Sequence, residues 1–191
     1  MKKKGAMQMS LGFIIAVVFA VVLLSLAIVW LRGMMENVSG LTVDLTQQAR
    51  NELADTFKQT RSNFAVWPKR QDMERGKTLI LSAGIKNNDP EGKDKWFFVN
   101  VECTASDSTV ANARETANGW ITIPTTAAFA KASDIVYRDI TLNVPTDAPD
   151  GNYIFDVVAC YWDSNPGTPT CTSGSNNLWA SQQPLTITVR G

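Results

Sequence analysis

The sequence predicts an α+β chain in sum: a long N-terminal helix followed by an all-β sandwich. Three observations carry this. Residues 11–31 form one uncharged apolar run; apolar residues then recur every three or four positions as far as Phe57; and from Asn63 onward short β-rich runs alternate with turn signals. The chain divides accordingly into a basic leader at 1–5 that is open to cleavage, a helical segment at 6–60 and a head domain at 63–191.

The apolar run reads LGFIIAVVFAVVLLSLAIVWL, 21 residues in which only Gly12 and Ser25 interrupt the apolar character. At about 1.5 Å per residue this length matches a hydrocarbon core of roughly 30 Å. Backbone polar groups in lipid must pair within their own segment, so a run of this kind is helical. The other reading is a helix buried in a soluble protein, but the chain offers no comparably large apolar partner. Lys2, Lys3 and Lys4 precede the run and place the N-terminus inside and the remainder outside. A secretory h-region spans only about 7–15 residues. Arg32-Gly33-Met34-Met35 also lacks the small-residue pattern of a signal-peptidase site, so the apolar helix is expected to stay in the mature protein.

Beyond Arg32-Gly33, apolar residues fall at Met34, Val38, Leu41, Leu45, Ala49, Leu53 and Phe57, one helical face among polar neighbours. Gly33 and Gly40 weaken the helix and are candidate bends. A continuous helix from Ala6 to Phe57 would be roughly 75 Å long. The stripe fits a filament core or a stem lying on its own β-domain equally well.

Pro68 and the charged segment Lys69-Arg70-Gln71-Asp72 mark the junction to the head. Strands are expected at 78–86, 96–104, 120–124, 135–144, 152–162 and 185–190. Turns are expected at Asn87-Asn88-Asp89-Pro90-Glu91-Gly92, Asn118-Gly119 and Pro149-Asp150-Gly151. Phe97, Val99, Val101 and Cys103 alternate onto one face; Tyr153, Phe155, Val157, Ala159 and Tyr161 form another. Six or seven such strands suggest two packed sheets.

The three cysteines lie outside by this topology, where a disulfide persists. Cys160 points away from the face of Phe155 and Val157, whereas Cys103 lies on the inner face. This favours Cys160–Cys171 as a loop staple with Cys103 a buried thiol; the rival pairing Cys103–Cys160 would cross the sandwich.

Composition excludes several chemistries. There is no histidine, which removes histidine bases, histidine–zinc sites and serine–histidine triads. Without the three leader lysines the chain carries 15 basic and 18 acidic residues, a balance unsuited to nucleic acid. Asp163-x-Asn165-x-Gly167 resembles the start of a calcium loop, but Gly174 stands where the closing acid belongs, and a turn is the better reading. Asp89, Glu91 and Asp94 are interleaved with lysines and read as a solvated loop. No phosphate loop, nucleophile elbow or paired carboxylates stand out, so neither enzyme activity, metal nor cofactor is expected. Asn37-Val38-Ser39 is a glycosylation sequon that a stem packed in a filament would hide. Trp162 and Trp179 flank the stapled loop and serve either as an adhesive surface or as core.

Two resemblances extend these readings. The stretch Lys2-Lys3-Lys4-Gly5-Ala6-Met7-Gln8-Met9-Ser10, followed at once by the apolar run, resembles the class III signal peptide of archaeal type IV pilins and pilin-like proteins. The resemblance implies cleavage between Gly5 and Ala6 by a prepilin-type peptidase. It also implies assembly through a helix that starts with Gln8 and Ser10; Gly12 stands where that family often has glutamate. An uncleaved signal anchor of the same topology is the alternative. The stretches Asp139-Ile140-Thr141-Leu142-Asn143-Val144-Pro145 and Gly151-Asn152-Tyr153-Ile154-Phe155-Asp156-Val157 resemble the end of an immunoglobulin-like domain, which implies that the tyrosine packs inward near a corner. Together they imply a subunit of a surface filament serving adhesion, with copies of itself, membrane lipid before assembly and the peptidase as partners. The alternative is a single-pass anchored extracellular binding or envelope protein that never polymerises.

Overall fold

The structure is a computed structural model describing residues 11–191, with the side chains of residue 11 and residues 30–45 outside the description. The first helix, α1, is Leu11–Gln59, and Gly33 and Gly40 fall inside it without interrupting the helical run. The chain forms two units, one ending at Asp44 and the other comprising Leu45–Gly191.

In the first unit, Gly12–Val29 is long and apolar enough to cross a membrane, and none of it is buried within the protein. Its large side chains, from Phe13 to Val29, are between 46 % and 69 % exposed. Ser25 Oγ donates to the Val21 carbonyl at 2.8 Å. The hydroxyl of this stretch is thus satisfied inside the helix, as a hydrocarbon environment requires.

The second unit begins with the last turns of α1. Ala49, Leu53 and Phe57 recur every four residues, and all three are buried. Leu53 and Phe57 cluster with Ala65 and the half-buried Trp67, Ile135 and Tyr137. Gly84 makes this approach possible: a Cβ there would lie 2.9 Å from Phe57 Cε2. Beside the contact, Arg50 pairs with Asp139 at 3.5 Å and lies 5.7 Å from the Tyr137 ring centroid. Met34, Val38, Leu41 and Leu45, the earlier members of the expected stripe, have side chains outside the described set.

The rest of this unit is a sandwich of two sheets. Its strands are β1 Phe64–Trp67, β2 Arg70–Glu74, β3 Thr78–Lys86, β4 Lys95–Ser106, β5 Ile121–Thr122, β6 Ala128–Ala130, β7 Ile135–Asn143, β8 Gly151–Trp162 and β9 Gln183–Arg190. One sheet has the order β1-β3-β7-β5, the other β2-β9-β8-β4-β6. Phe97, Val99, Val101 and Cys103 of β4 and Tyr153, Phe155, Val157 and Ala159 of β8 all enter the main core, which Leu81, Ile85, Ile140 and Leu142 complete from the facing sheet. Alternation along β4 and β8 therefore places one face of each strand inward.

Several expectations need correction. The charged segment after Pro68 is more than a junction. It forms β2, which pairs in parallel with β9 from Arg70↔Thr186 to Glu74↔Arg190. Just before it, β1 pairs with β3 in the other sheet. The chain changes sheets at the cis Trp67–Pro68 bond, where proline removes a ladder donor. The strand expected at 120–124 shrinks to Ile121–Thr122, because Trp120 is taken into the core and packs edge-on against Tyr153 at 4.8 Å between ring centroids. A short helix α2, Ala113–Asn118, precedes it; Asn118 Oδ1 accepts from the Cys103 N–H at 2.6 Å, tying that turn to β4.

The orders β1-β3-β7-β5 and β9-β8-β4 are those of an immunoglobulin-like sandwich. Tyr153 supplies a second mark of that fold. It is buried at the start of β8, and its hydroxyl donates to the Pro149 carbonyl four residues upstream at 2.8 Å. This is a tyrosine corner, in which a hydroxyl pins the inter-sheet turn to the strand that follows. Burial raises the Tyr153 pKa, so the phenol stays protonated and able to donate.

Candidate functional site

Two surfaces carry functional potential: the apolar part of α1 and the loop end of the head. Of the residues that the sequence nominates for processing and assembly, Gly5, Ala6, Gln8 and Ser10 lie outside the described residues. Gly12 opens the exposed apolar stretch, which presents a continuous sleeve of Phe, Ile, Val and Leu side chains. The Asn37 side chain is also outside the described set.

The loop end is built where β8 stops and β4 starts. Cys160 and Cys171 are joined by a disulfide across 11 positions, and Cys103 is a buried free thiol. Both bridged cysteines sit on the outer face of the second sheet with Phe98 and Val158, against the half-buried Trp162 and Leu178. Asn100 Nδ2 donates to the Cys171 carbonyl at 2.8 Å. Burial pushes the Cys103 thiol up to about 11, which keeps it from forming the reactive thiolate near neutrality. Closing the loop is expected to stabilise the head by about 2–3 kcal/mol. The double substitution Cys160→Ser/Cys171→Ser should therefore lower the denaturation free energy by that amount, measured by urea unfolding followed through tryptophan fluorescence.

The loop returns along β8. Its chain donates from Tyr161 N–H to the Asn177 carbonyl at 3.0 Å and from Trp179 N–H to the Ala159 carbonyl at 2.8 Å. Trp179 packs on the main core, edge-on to Phe97 and Tyr161, and its Nε1 donates to the Lys86 carbonyl at 3.0 Å. Of the two tryptophans flanking the loop, Trp179 is thus committed to packing. Trp162 is half-buried and borders an open groove of about 640 Å³ together with Tyr161, Asp163, Pro166 and Pro169. Within the loop Asn165 Oδ1 accepts from the Gly167 N–H at 3.0 Å, and Gly167 takes the left-handed conformation at φ 67°. These residues form an Asx turn.

The segment 87–95 is a loop exposed over most of its length, as its charges predict, but its two ends are buried. Asn87 is fully buried and donates through Nδ2 to the carbonyls of Lys93 and Ala130. The Lys95 side chain is only 7 % exposed, and its Nζ lies 2.5 Å from Asp163 Oδ1 and 3.3 Å from Asp89 Oδ1. It also sits 5.3 Å from the Tyr161 ring centroid. Lys95 therefore fastens the 87–95 segment to Asp163, the first residue after β8. The signal available in the sequence was a lysine placed directly before the apolar run Trp96-Phe97-Phe98-Val99.

Asp89 is held below its ordinary value of 3.8, first by the Lys93 N–H and further by Lys95 and the Glu91 N–H. Lys95 is raised above 10.5, first by its hydrogen bond to Asp163 and then by Asp89. The signs fix a window. A depressed carboxylate contributes stability in full above its unfolded pKa and loses it as pH falls through the folded one; a raised amine contributes in full below its unfolded pKa and loses it as pH rises through the folded one. The Asp89–Lys95 contribution is thus flat between 3.8 and 10.5 and declines outside those limits. Thermal unfolding of Asp89→Asn is expected to show a shallower acid limb than wild type, with the alkaline limb retained through Asp163.

The sequence matches no protein-family model, and no curated protein matches it. Among solved structures, similar folds include the PapD-like domain 7 of human CEP192 at 12 % identity and a TM-score of 0.35, covering 68 % of this chain and 84 % of that one. The class 5 fimbriae chaperone CfaA is similar at 12 % identity and a TM-score of 0.38, over 65 % of this chain and 55 % of that one. The Salmonella enterica SafA pilin–SafB chaperone complex is similar at 13 % identity and a TM-score of 0.37, over 66 % and 53 %. This chain thus spans about half the length of the two fimbrial chains. The strand order and the tyrosine corner define the class: an immunoglobulin-like sandwich preceded by an apolar N-terminal helix.

Proposed function

We propose that this chain is a non-enzymatic structural subunit of an archaeal type IV pilus-like surface filament, assembled through its N-terminal hydrophobic helix and serving adhesion. The observation that carries the proposal is the apolar stretch Gly12–Val29, helical and without any burial inside its own protein. So large an apolar surface needs a cover, either lipid or other helices of the same kind. In this reading lipid covers it before assembly and copies of the chain cover it afterwards. The leader Lys2–Gly5 and the Gln8-x-Ser10 start support processing by a prepilin-type peptidase before Ala6.

One residue favours a second reading. Gly12 occupies the position where the resembling family often has glutamate, which suits a membrane-anchored extracellular module that does not polymerise. Mass spectrometry of the native protein and electron microscopy of sheared surface material separate the two. A mature chain starting at Ala6, found in fibres, is the expected result. An intact Met1 in mature protein, with no fibres containing the chain, would overturn the filament reading.

A further inference from the structure

The groove at the loop end of the head has a composition that narrows what it can bind. No lysine or arginine lines it, and its one acid, Asp163, is charge-paired with Lys95 beneath. An anionic ligand would therefore find no cation at the surface of the groove. No leucine, isoleucine, valine or methionine lines it either, so an acyl chain or apolar side chain would find little to cover it. What remains is carbon surface from Trp162, Pro166 and Pro169, set among side chains that both donate and accept hydrogen bonds.

That combination matches one ligand chemistry. A pyranose ring presents a C–H face that packs on an aromatic plane and a rim of hydroxyls that each need a donor or an acceptor. We propose that this groove binds a neutral oligosaccharide, with Trp162 as the stacking platform and Asp163 and Asn176 as hydrogen-bonding partners. Trp162 is set against the outer cluster of Phe98, Val158 and the disulfide, so its ring is fixed before a ligand arrives. Asp163 accepts from Lys95 through Oδ1, and its side chain is 78 % exposed. Asn176 is exposed and makes no hydrogen bond within the described residues. The opposite wall is held by the disulfide and by the bond from Asn177 Nδ2 to the Tyr161 carbonyl at 3.0 Å. These restraints reduce the conformational freedom lost on binding. A volume of about 640 Å³ lies in the range of small-ligand sites and suits a short oligosaccharide.

The inference rests on the adhesive part of the proposed function and is independent of assembly. The full-length chain in lipid nanodiscs is applied to an array of neutral hexose and N-acetylhexosamine oligosaccharides beside sialylated and sulfated ones. Binding to neutral glycans is expected, followed by a calorimetric titration with the strongest of them. Trp162→Ala should weaken binding about tenfold or more, while Trp162→Phe retains most of it. Thr168 and Asn176 are exposed, so Thr168→Arg, which fills the groove, and Asn176→Ala test the site without disturbing the core. Thr168→Arg should abolish binding. The proposal is overturned if no neutral glycan binds, if binding is confined to acidic glycans, or if Thr168→Arg binds as wild type does. Filaments without glycan binding would sink this inference alone; glycan binding without filaments would sink the assembly reading alone.

Discussion

Phe57→Ala is expected to release the C-terminal turns of α1 from the head at a cost of about 3–5 kcal/mol. Phe57 is 5 % exposed and rests on Gly84, where the absent Cβ leaves bare backbone for the ring. Leu53 Cδ1 lies 3.4 Å from that same Cβ position, so both apolar side chains use one seat. The cluster they form is separate from the core between the sheets. The loss should therefore appear as local opening, with amide exchange at 49–59 faster by about a hundredfold or more and exchange in β4 and β8 little changed. Gly84→Val approaches the same contact from the other side. Its branched side chain collides with the Phe57 ring and should cost about 1–3 kcal/mol through overpacking, with the same amides responding. An even rise in exchange across β4 and β8 in either variant would show that the helix is part of the main cooperative unit.

The parts of this fold that could be read from the sequence are those in which local pattern and burial agree. Strand β3 runs over Thr78–Lys86, the span its pattern predicts, and β4 and β8 differ from expectation only at their ends. In both of the latter an unbroken series of apolar residues at every second position coincides with the inner face. Strand β2 escaped because only Met73 of Arg-Gln-Asp-Met-Glu is buried. A strand at a sheet edge, paired on one side and solvated on the other, has little apolar periodicity to display. Its parallel partner β9 lies more than a hundred residues away, a distance over which sequence pattern says nothing about pairing. The Lys95 cluster escaped for a related reason. Asp163 is 68 positions from Lys95, and the two meet only because β4 and β8 pair with Trp96 opposite Trp162. The charges of 87–95 suggested solvent, which holds for most of the segment; Lys95 is buried because Asp89 and, from just beyond the end of β8, Asp163 both pair with it. The groove was legible only as two tryptophans near a proline-bearing loop. Which of the two stays available at the surface depends on tertiary packing: Trp179 turns to the core, and Trp162 to the outer cluster and the groove.

A single charge in the middle of the apolar helix should distinguish a filament subunit from a simple anchor. Thirteen large apolar side chains between Phe13 and Val29 face outward. Together they favour membrane insertion by about 4–8 kcal/mol, whereas one lysine near the centre of a span opposes it by about 2.5–3.5 kcal/mol. Leu23→Lys should therefore still reach the membrane, because the apolar excess outweighs the charge and the long stem of lysine lets its amine reach toward the interface. The head should be unaffected, since Leu23 is 60 % exposed, and its unfolding midpoint should match wild type. Assembly is different. A helix packed among copies of itself leaves no route to water and supplies no partner acid, and Gly12 provides none from within the apolar stretch. An unpaired ammonium in such a packed core costs several kcal/mol for every subunit added, enough to stop a lattice built from repeated contacts. The expected outcome is a chain that fractionates with membranes, carries a fully stable head and forms no fibres. If both Leu23→Lys and wild type fractionate with membranes and neither forms fibres, the apolar helix is an anchor and the filament reading fails.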